Sequence, residues 1–322
     1  MPRARKHLVS VSKTPYYHVT SRCVRRAFLC GIDRFSGNSY EHRRQWIVDR
    51  MRSLSSLFSI EICAYAVMSN HYHLVVKLNP DETGQWSDDE VLGRWTALFR
   101  GPLIVQRQRA GEALSAIEQE TLASTVNVYR ARLASLSWFM KCLNEPIARK
   151  ANAEDCCSGH FWEARFHSQA LCSEKALIAA MVYVDLNPIR AKMAKTPETS
   201  DYASIQTRTL GTRNQRAIAG AISRLINAGE LFRFETSIRP LMPFADDRSA
   251  KNGNALPMIE REYLSLVDNT ARIVVHGKRG YMDALPAPIL ERLGLSAEQW
   301  VSAAGHFTDH YHNGDLRLKQ TA

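Results

Sequence analysis

The chain has 322 residues, 45% apolar and 23% charged, a balance that excludes a disordered or fibrous protein and allows one or two buried cores. Its 42 Lys and Arg against 32 Asp and Glu give a net charge of +10, and residues 1–60 alone hold twelve basic and three acidic residues, a concentration that points to a polyanion partner. With no run of 18 apolar residues and no apolar stretch in MPRARKHLVS, neither a membrane span nor a secretion signal is expected, and the protein should be cytoplasmic, nucleoid-associated when bound to DNA.

In chain order, residues 1–13 (Arg3, Arg5, Lys6, Lys13) read as a flexible basic arm. Tyr16 to Cys30 is rich in strand formers and carries Arg22, Arg25 and Arg26. Asn38 or Ser39 caps a helix running to about Phe58. Trp46, Ile47, Met51, Leu54 and Leu57 form its apolar stripe, and His42, Arg43, Arg44, Arg50 and Arg52 lie outside it, some placed to touch phosphate. Ala64 to Leu78 (AYAVMSNHYHLVVKL) alternates apolar and polar residues around Ser69-Asn70, which predicts two antiparallel strands joined by a tight turn. Residues two apart share a strand face, so His71 and His73 project together and Tyr72 projects oppositely. Strand, helix, strand, strand opens a ferredoxin-like sheet.

Residues 81–132 read as a helical insertion, with Val91, Leu92, Trp95, Leu98 and Phe99 as its apolar patch. Leu136 to Ala151 is a helix with a kink at Glu145-Pro146, and Phe161 to Leu171 a strand with Arg165 and His167 opposite Phe166. Ser173 caps the next helix, Glu174 suits its positive end, and Tyr183 and Asn187, four apart, share a face. Asn187 either caps a short continuation to Met193 beyond Pro188 or offers its amide oxygen as a ligand.

Residues 206–322 form a mainly helical extension: a helix with a basic edge at 212–237, a linker at 240–257, and two helical halves about Gly294 within 289–304. The last is a helix-turn-helix or a plain helical hairpin, preceded by the basic loop 277–280. His306, His310 and His312 read as solvated. Seven cysteines without a CxxC pair predict reduced thiols, and Cys156, Cys157, His160 and His167 lack the spacing of a structural zinc site.

SNHYHLVV at residues 69–76, GHFWEARFHS at 159–168, YVDLNPIRA at 183–191 and PYYHVTSR at 15–22 together resemble the HUH single-strand DNA transposases, and within them the REP-associated tyrosine transposases, over about residues 14–205. The resemblance implies an α+β fold, a ferredoxin-like antiparallel sheet with helices on one face over residues 1–205; it fades beyond 205, where the helical extension 206–322 reads as an accessory DNA-binding region. It implies Tyr183 as nucleophile, with His71, His73 and Asn187 holding Mg2+ or Mn2+. Arg22, Arg25, Arg26, Arg43, Arg44 and Arg165 are the expected DNA contacts. The implied substrate is single-stranded DNA beside an imperfect, REP-like palindrome folded into a hairpin, handled by a monomer or homodimer. His71 and Tyr183 lie 112 residues apart here, farther than in the family, so assembly of the site within one chain is left open.

A tyrosine hydroxyl, with a pKa near 10, is a weak nucleophile at neutral pH. A divalent ion on two imidazoles and an amide would withdraw charge from a scissile phosphate, and manganese should serve at least as well as magnesium. Two other classes fit the same residues: a hairpin-binding regulator of DNA or RNA that does not cut, and a metal-dependent hydrolase that uses water.

Overall fold

The computed structural model describes residues 9–24, 29–32, 37–210, 238–247 and 254–273. Arg25, Arg26, the arm up to residue 8, the expected helix at 212–237, the loop at 277–280, the helical pair at 289–304 and the tail histidines lie outside the described residues.

Four strands form one antiparallel sheet in the order β2-β3-β1-β4: β1 Tyr16–Arg22, β2 Ile60–Val67, β3 His71–Leu78 and β4 His167–Ala170. The turn falls at Ser69-Asn70 as expected, closed by the Met68 amide donating to the His71 carbonyl at 2.8 Å. Helix α1 (His42–Leu57) connects β1 to β2, and α6 (Leu136–Glu154) leads toward β4, the two helices lying side by side. Ile47, Met51, Leu54, Phe139 and Leu143 pack there with Tyr17, Val19, Tyr72, Leu74 and Val76, one face of β1 and β3. Each such side chain taken from water contributes roughly 1.5–3 kcal/mol.

Helices cover the other face as well, which corrects the expectation of helices on one face only. Every residue of β2 (IEICAYAV) is buried, so neither of its faces can be left to solvent. Helix α7 (Glu174–Arg190) covers the second face, its Ala179, Ala180 and Val184 packing with Ala64, Ala66 and Val75. Helices α8 (Ser204–Leu210) and α9 (Glu260–Arg272) lie on the same side, against β2 and α7 respectively. The described residues beyond 205 are therefore built into this core: the Met242 amide donates to the Ile62 carbonyl at 2.8 Å, beside the register shift at Ile62/Ala64.

The insertion is helical: α2 Pro80–Gln85, α3 Asp88–Thr96, α4 Leu103–Arg109 and α5 Ala116–Leu133. Trp95 stacks on Phe99 and Tyr129, with ring centroids at 4.8 and 4.6 Å. Arg94 donates to the Ser56 and Leu57 carbonyls at 2.9 and 3.1 Å, placing a cation on the negative end of α1 and tying the insertion to the sheet domain.

Local expectations fared unevenly. Ser173 caps α7, accepting from the Ala176 amide at 3.1 Å. Helix α1 begins later than expected, after Glu41 and without a side-chain cap, because Ser39 is taken up in a bridge with Ile32. Helix α6 continues through Pro146 to Glu154. Proline has no N–H for the carbonyl four residues back, and Arg50 Nε supplies a donor to Cys142 O at 3.0 Å instead. The strand expected at 161–171 is split: Trp162 bridges Cys23, and regular pairing resumes only at His167. All seven cysteines are free thiols, and no described helix is long and apolar enough to cross a membrane.

Candidate active site

The β1–β3 register sets Arg22 opposite His71, Thr20 opposite His73 and His18 opposite Val75. On β4, His167 pairs with Thr20 and Gln169 with His18. Paired residues point to the same side, so His71, His73, His18, Arg22 and His167 share the face that α7 covers. Helix α7 lays Tyr183 across it: the Tyr183 ring meets His73 edge-on at 5.5 Å between centroids and His18 at 6.0 Å. The gap of 112 residues between His71 and Tyr183 is thus closed within one chain.

The ring nitrogens divide their work. His71 Nδ1 donates to Asn70 Oδ1 at 2.6 Å, which leaves Nε2 with its lone pair. His73 Nδ1 lies 3.0 Å from His18 Nε2 and 3.4 Å from Thr20 Oγ1, and the His71 and His73 rings stand edge to face at 4.8 Å. Asn187 Nδ2 donates to the Tyr183 carbonyl at 3.0 Å, one turn back, so the amide is turned by its nitrogen and its oxygen keeps its acceptor capacity. Helix α7 runs on through Pro188 to Arg190, so Asn187 lies inside the helix and does not cap it.

His73 and His18 are buried, whereas His71, Tyr183 and Asn187 are half-buried and open to a substrate from one side. Burial pushes His18 down to a pKa of about 3; His167 nearby adds to the effect and the Gln169 side chain opposes it. The His18 ring is therefore neutral at physiological pH.

His71, His73 and Asn187 fit a divalent cation in kind: two imidazoles with Nδ1 engaged and an amide oxygen. Among the described residues no group of three or more His, Cys, Asp and Glu side chains is arranged to hold a metal ion, and the third donor here is of a different type.

The expected DNA-binding arginines separate into two classes. Arg22 is exposed on the site face beside His71, and Arg165 is exposed just before β4. Arg43 is not on a phosphate-accessible surface: its side chain is fully buried, with Nε donating to Glu154 Oε2 at 2.6 Å and Nη2 paired with Asp155. Arg44 is also buried, 3.2 Å from Glu41 and with its guanidinium 5.8 Å from the Tyr202 ring centroid. Guanidinium groups this deeply buried present almost no surface to a phosphate, which corrects the expectation for both residues.

Sequence reasoning missed His18, Thr20 and Gln169 as members of the site. A signal was present in the period-two spacing of His18, Thr20 and Arg22, but their partners on β3 lie more than 50 residues away and the register had to be seen.

The sequence matches no protein-family model and no curated protein. Among solved structures it is similar to one described as a REP-associated tyrosine transposase bound to a REP hairpin, at 14% identity and a TM-score of 0.35, over 75% of this chain and 99% of that one. That likeness is too loose to carry the neighbour's activity or its hairpin over to this chain.

Proposed function

We propose that the chain is a metal-dependent nicking and rejoining enzyme for single-stranded DNA beside a hairpin, with Tyr183 as nucleophile. We read its sheet as ferredoxin-like, with α1 and α6 as the crossover helices and α7 added on the opposite face. The observation that carries the reading is the meeting of Tyr183, from mid-α7, with the histidine pair of β3, on a face that also presents Arg22.

In this reading His71, His73 and the Asn187 oxygen hold Mg2+ or Mn2+, and the bound ion supplies positive charge to the scissile phosphate. Arg22 binds the neighbouring phosphate, and the α7 backbone fixes the direction of Tyr183. The Tyr183 oxygen forms a bond to phosphorus and the bond from phosphorus to the 3′ oxygen breaks. The phenol loses its proton, the departing 3′ oxygen gains one, and a 5′-phosphotyrosine link remains. The bond energy is retained, so a second 3′ hydroxyl can reverse the step and join new ends without a nucleotide cofactor.

The test is a labelled hairpin with a single-stranded flank, incubated with Mn2+ and run under denaturing conditions. Wild type is expected to give a protein–DNA adduct that Tyr183→Phe abolishes while hairpin binding stays within a few-fold. An adduct formed by the phenylalanine variant would assign the chemistry to another tyrosine. Free 5′-phosphate would mean that water attacks, and uncut DNA would mean a binding protein.

A further inference from the structure

We propose that Arg132, Trp138 and Lys141 form a second nucleic-acid contact, on the outward side of α6, that holds the single-stranded flank of the DNA. The identity of the partner rests on the reading above, because a strand handled at Tyr183 has to leave the site along some surface. The contact itself lies outside the reacting groups, where the inserted helices meet α6.

Phe139 and Leu143 face the sheet, so at roughly 100° per residue Trp138 and Lys141 fall on the outward side of the helix. Trp138 is half-buried and Lys141 exposed. Trp95 and Phe99 of the insertion stand edge to face with the indole at 5.4 and 6.4 Å between centroids. Two cations lie over the same ring: the Arg132 guanidinium, from the last turn of α5, at 4.3 Å and Lys141 Nζ at 4.8 Å from its centroid. Arg100, also exposed, follows Phe99 directly.

Elsewhere in the chain arginines are held by acids: Arg43, Arg94, Arg107 and Arg130 each meet a carboxylate. Here, among the described residues, none of Arg100, Arg132 and Lys141 does, and Glu145, one turn beyond Lys141, is taken by Arg149. Three cations around one aromatic cluster with no anion among them complement a polyanion. A cation resting on an indole face is held in place by the ring yet keeps its N–H groups for another acceptor, and phosphate oxygens supply one. The indole beside them offers a surface on which an unpaired base can stack, which bases already stacked in a duplex cannot use.

The patch is also continuous with the site. Asn144, six residues and about 9 Å along α6 from Trp138, donates to Ser21 Oγ at 2.9 Å. Ser21 precedes Arg22, the exposed cation of the site face, so a flexible strand passing Arg22 can turn round the end of β1 onto α6.

The test measures binding by the full chain, with chelator present so that nothing is cut, to a flankless hairpin, to hairpins with single-stranded flanks of rising length, and to one whose flank is fully paired. Wild type is expected to bind more tightly as the unpaired flank lengthens. Arg132→Gln with Lys141→Gln should lose that gain, flattening the log-log salt slope by about 1.4 on the long flank and leaving the flankless hairpin unchanged. Trp138→Phe should reduce the quenching of tryptophan fluorescence by the long flank. An unchanged slope in the double variant overturns the proposal, and so does an equal loss on the flankless hairpin or on the paired flank. Should the double variant fail to fold, Lys141→Glu, a change at an exposed head, takes its place: several-fold weaker binding of the long flank supports the proposal and unchanged binding overturns it. Wild type that forms no adduct yet shows the flank gain, with its loss in the double variant, refutes the nicking reading and upholds the patch. Affinity independent of flank length overturns the patch and leaves the chemistry at Tyr183 standing.

Discussion

Replacing Arg43 by Met distinguishes a buried structural arginine from a DNA contact. The Arg43 guanidinium is fully buried between Glu154 and Asp155, whose side chains are 32% and 12% exposed. Removing one partner of a buried ion pair costs about 3–5 kcal/mol, chiefly because the other charge is left desolvated. Here Glu154 reaches enough water to recover part of its hydration, so the lower end, about 3 kcal/mol, is expected. At roughly 2–4 °C per kcal/mol for a chain of this class, the melting temperature should fall by roughly 6–12 °C. Denaturant unfolding followed by circular dichroism gives the free energy, and hairpin affinity at several salt concentrations gives the electrostatic count. Losing a phosphate contact flattens the log-log salt slope by about 0.7 for a single strand, whereas losing Arg43 should leave it unchanged. Wild-type stability together with a flattened slope would refute the assignment of Arg43 to the interior.

The exposed pair should behave in the opposite way: Arg22→Ala with Arg165→Ala is expected to flatten the salt slope by about 1.4 with little loss of stability, and an unchanged slope would move the DNA path elsewhere. His71→Ala and His73→Ala should each abolish adduct formation, with partial rescue at most by excess Mn2+, and Asn187→Ala should be milder because water can replace a neutral ligand; full activity in either histidine variant, or in chelator, would remove the metal from the reaction. Burial raises Asp185 to about 6, against hydrogen bonds from Ser204, Tyr263 and the Ile205 amide and the attraction of Arg208. The folded state then binds this proton more tightly than the unfolded chain, so the contribution is full below about pH 4 and is lost as pH rises to about 6. At about 1.4 kcal/mol per unit, the stability of wild type relative to Asp185→Asn should decline by on the order of 3 kcal/mol across that window, and a constant difference would contradict it.

The hairpin of β2 and β3 was legible because alternation and the Ser69-Asn70 break are local signals, and the shared helix of Tyr183 and Asn187 because the apolar run after the Ser173 cap is local too. Coverage on both sides of the sheet was foreshadowed by β2 alone, where Ile62 to Val67 is apolar on both faces and only Glu61 carries a charge. Arg43 and Arg44 were misplaced for a physical reason: an arginine next to an apolar stripe looks the same whether its head reaches solvent or folds back onto carboxylates at 154 and 155, more than a hundred residues away. His18 escaped notice because its contact with the site is made to a neighbour in β3, and a register across 55 residues leaves no trace in local spacing.

Helix α7 has a back as well as a front. While Tyr183 faces the histidines, the buried Asp185 carboxylate accepts from Tyr263 Oη at 2.6 Å, from the Ile205 amide at 3.0 Å and from Ser204 Oγ. Arg190 likewise donates to the Thr270 and Ile273 carbonyls at 2.7 and 2.8 Å, fastening the last turn of α7 to the end of α9. The helix that carries Tyr183 is therefore clamped from behind by Ser204, Ile205, Tyr263, Thr270 and Ile273, and a unit cut out to graft, trim or circularly permute this fold must reach at least to Ile273. A cut at 205 would keep Tyr183 and the β3 histidines and discard the anvil against which the helix is set.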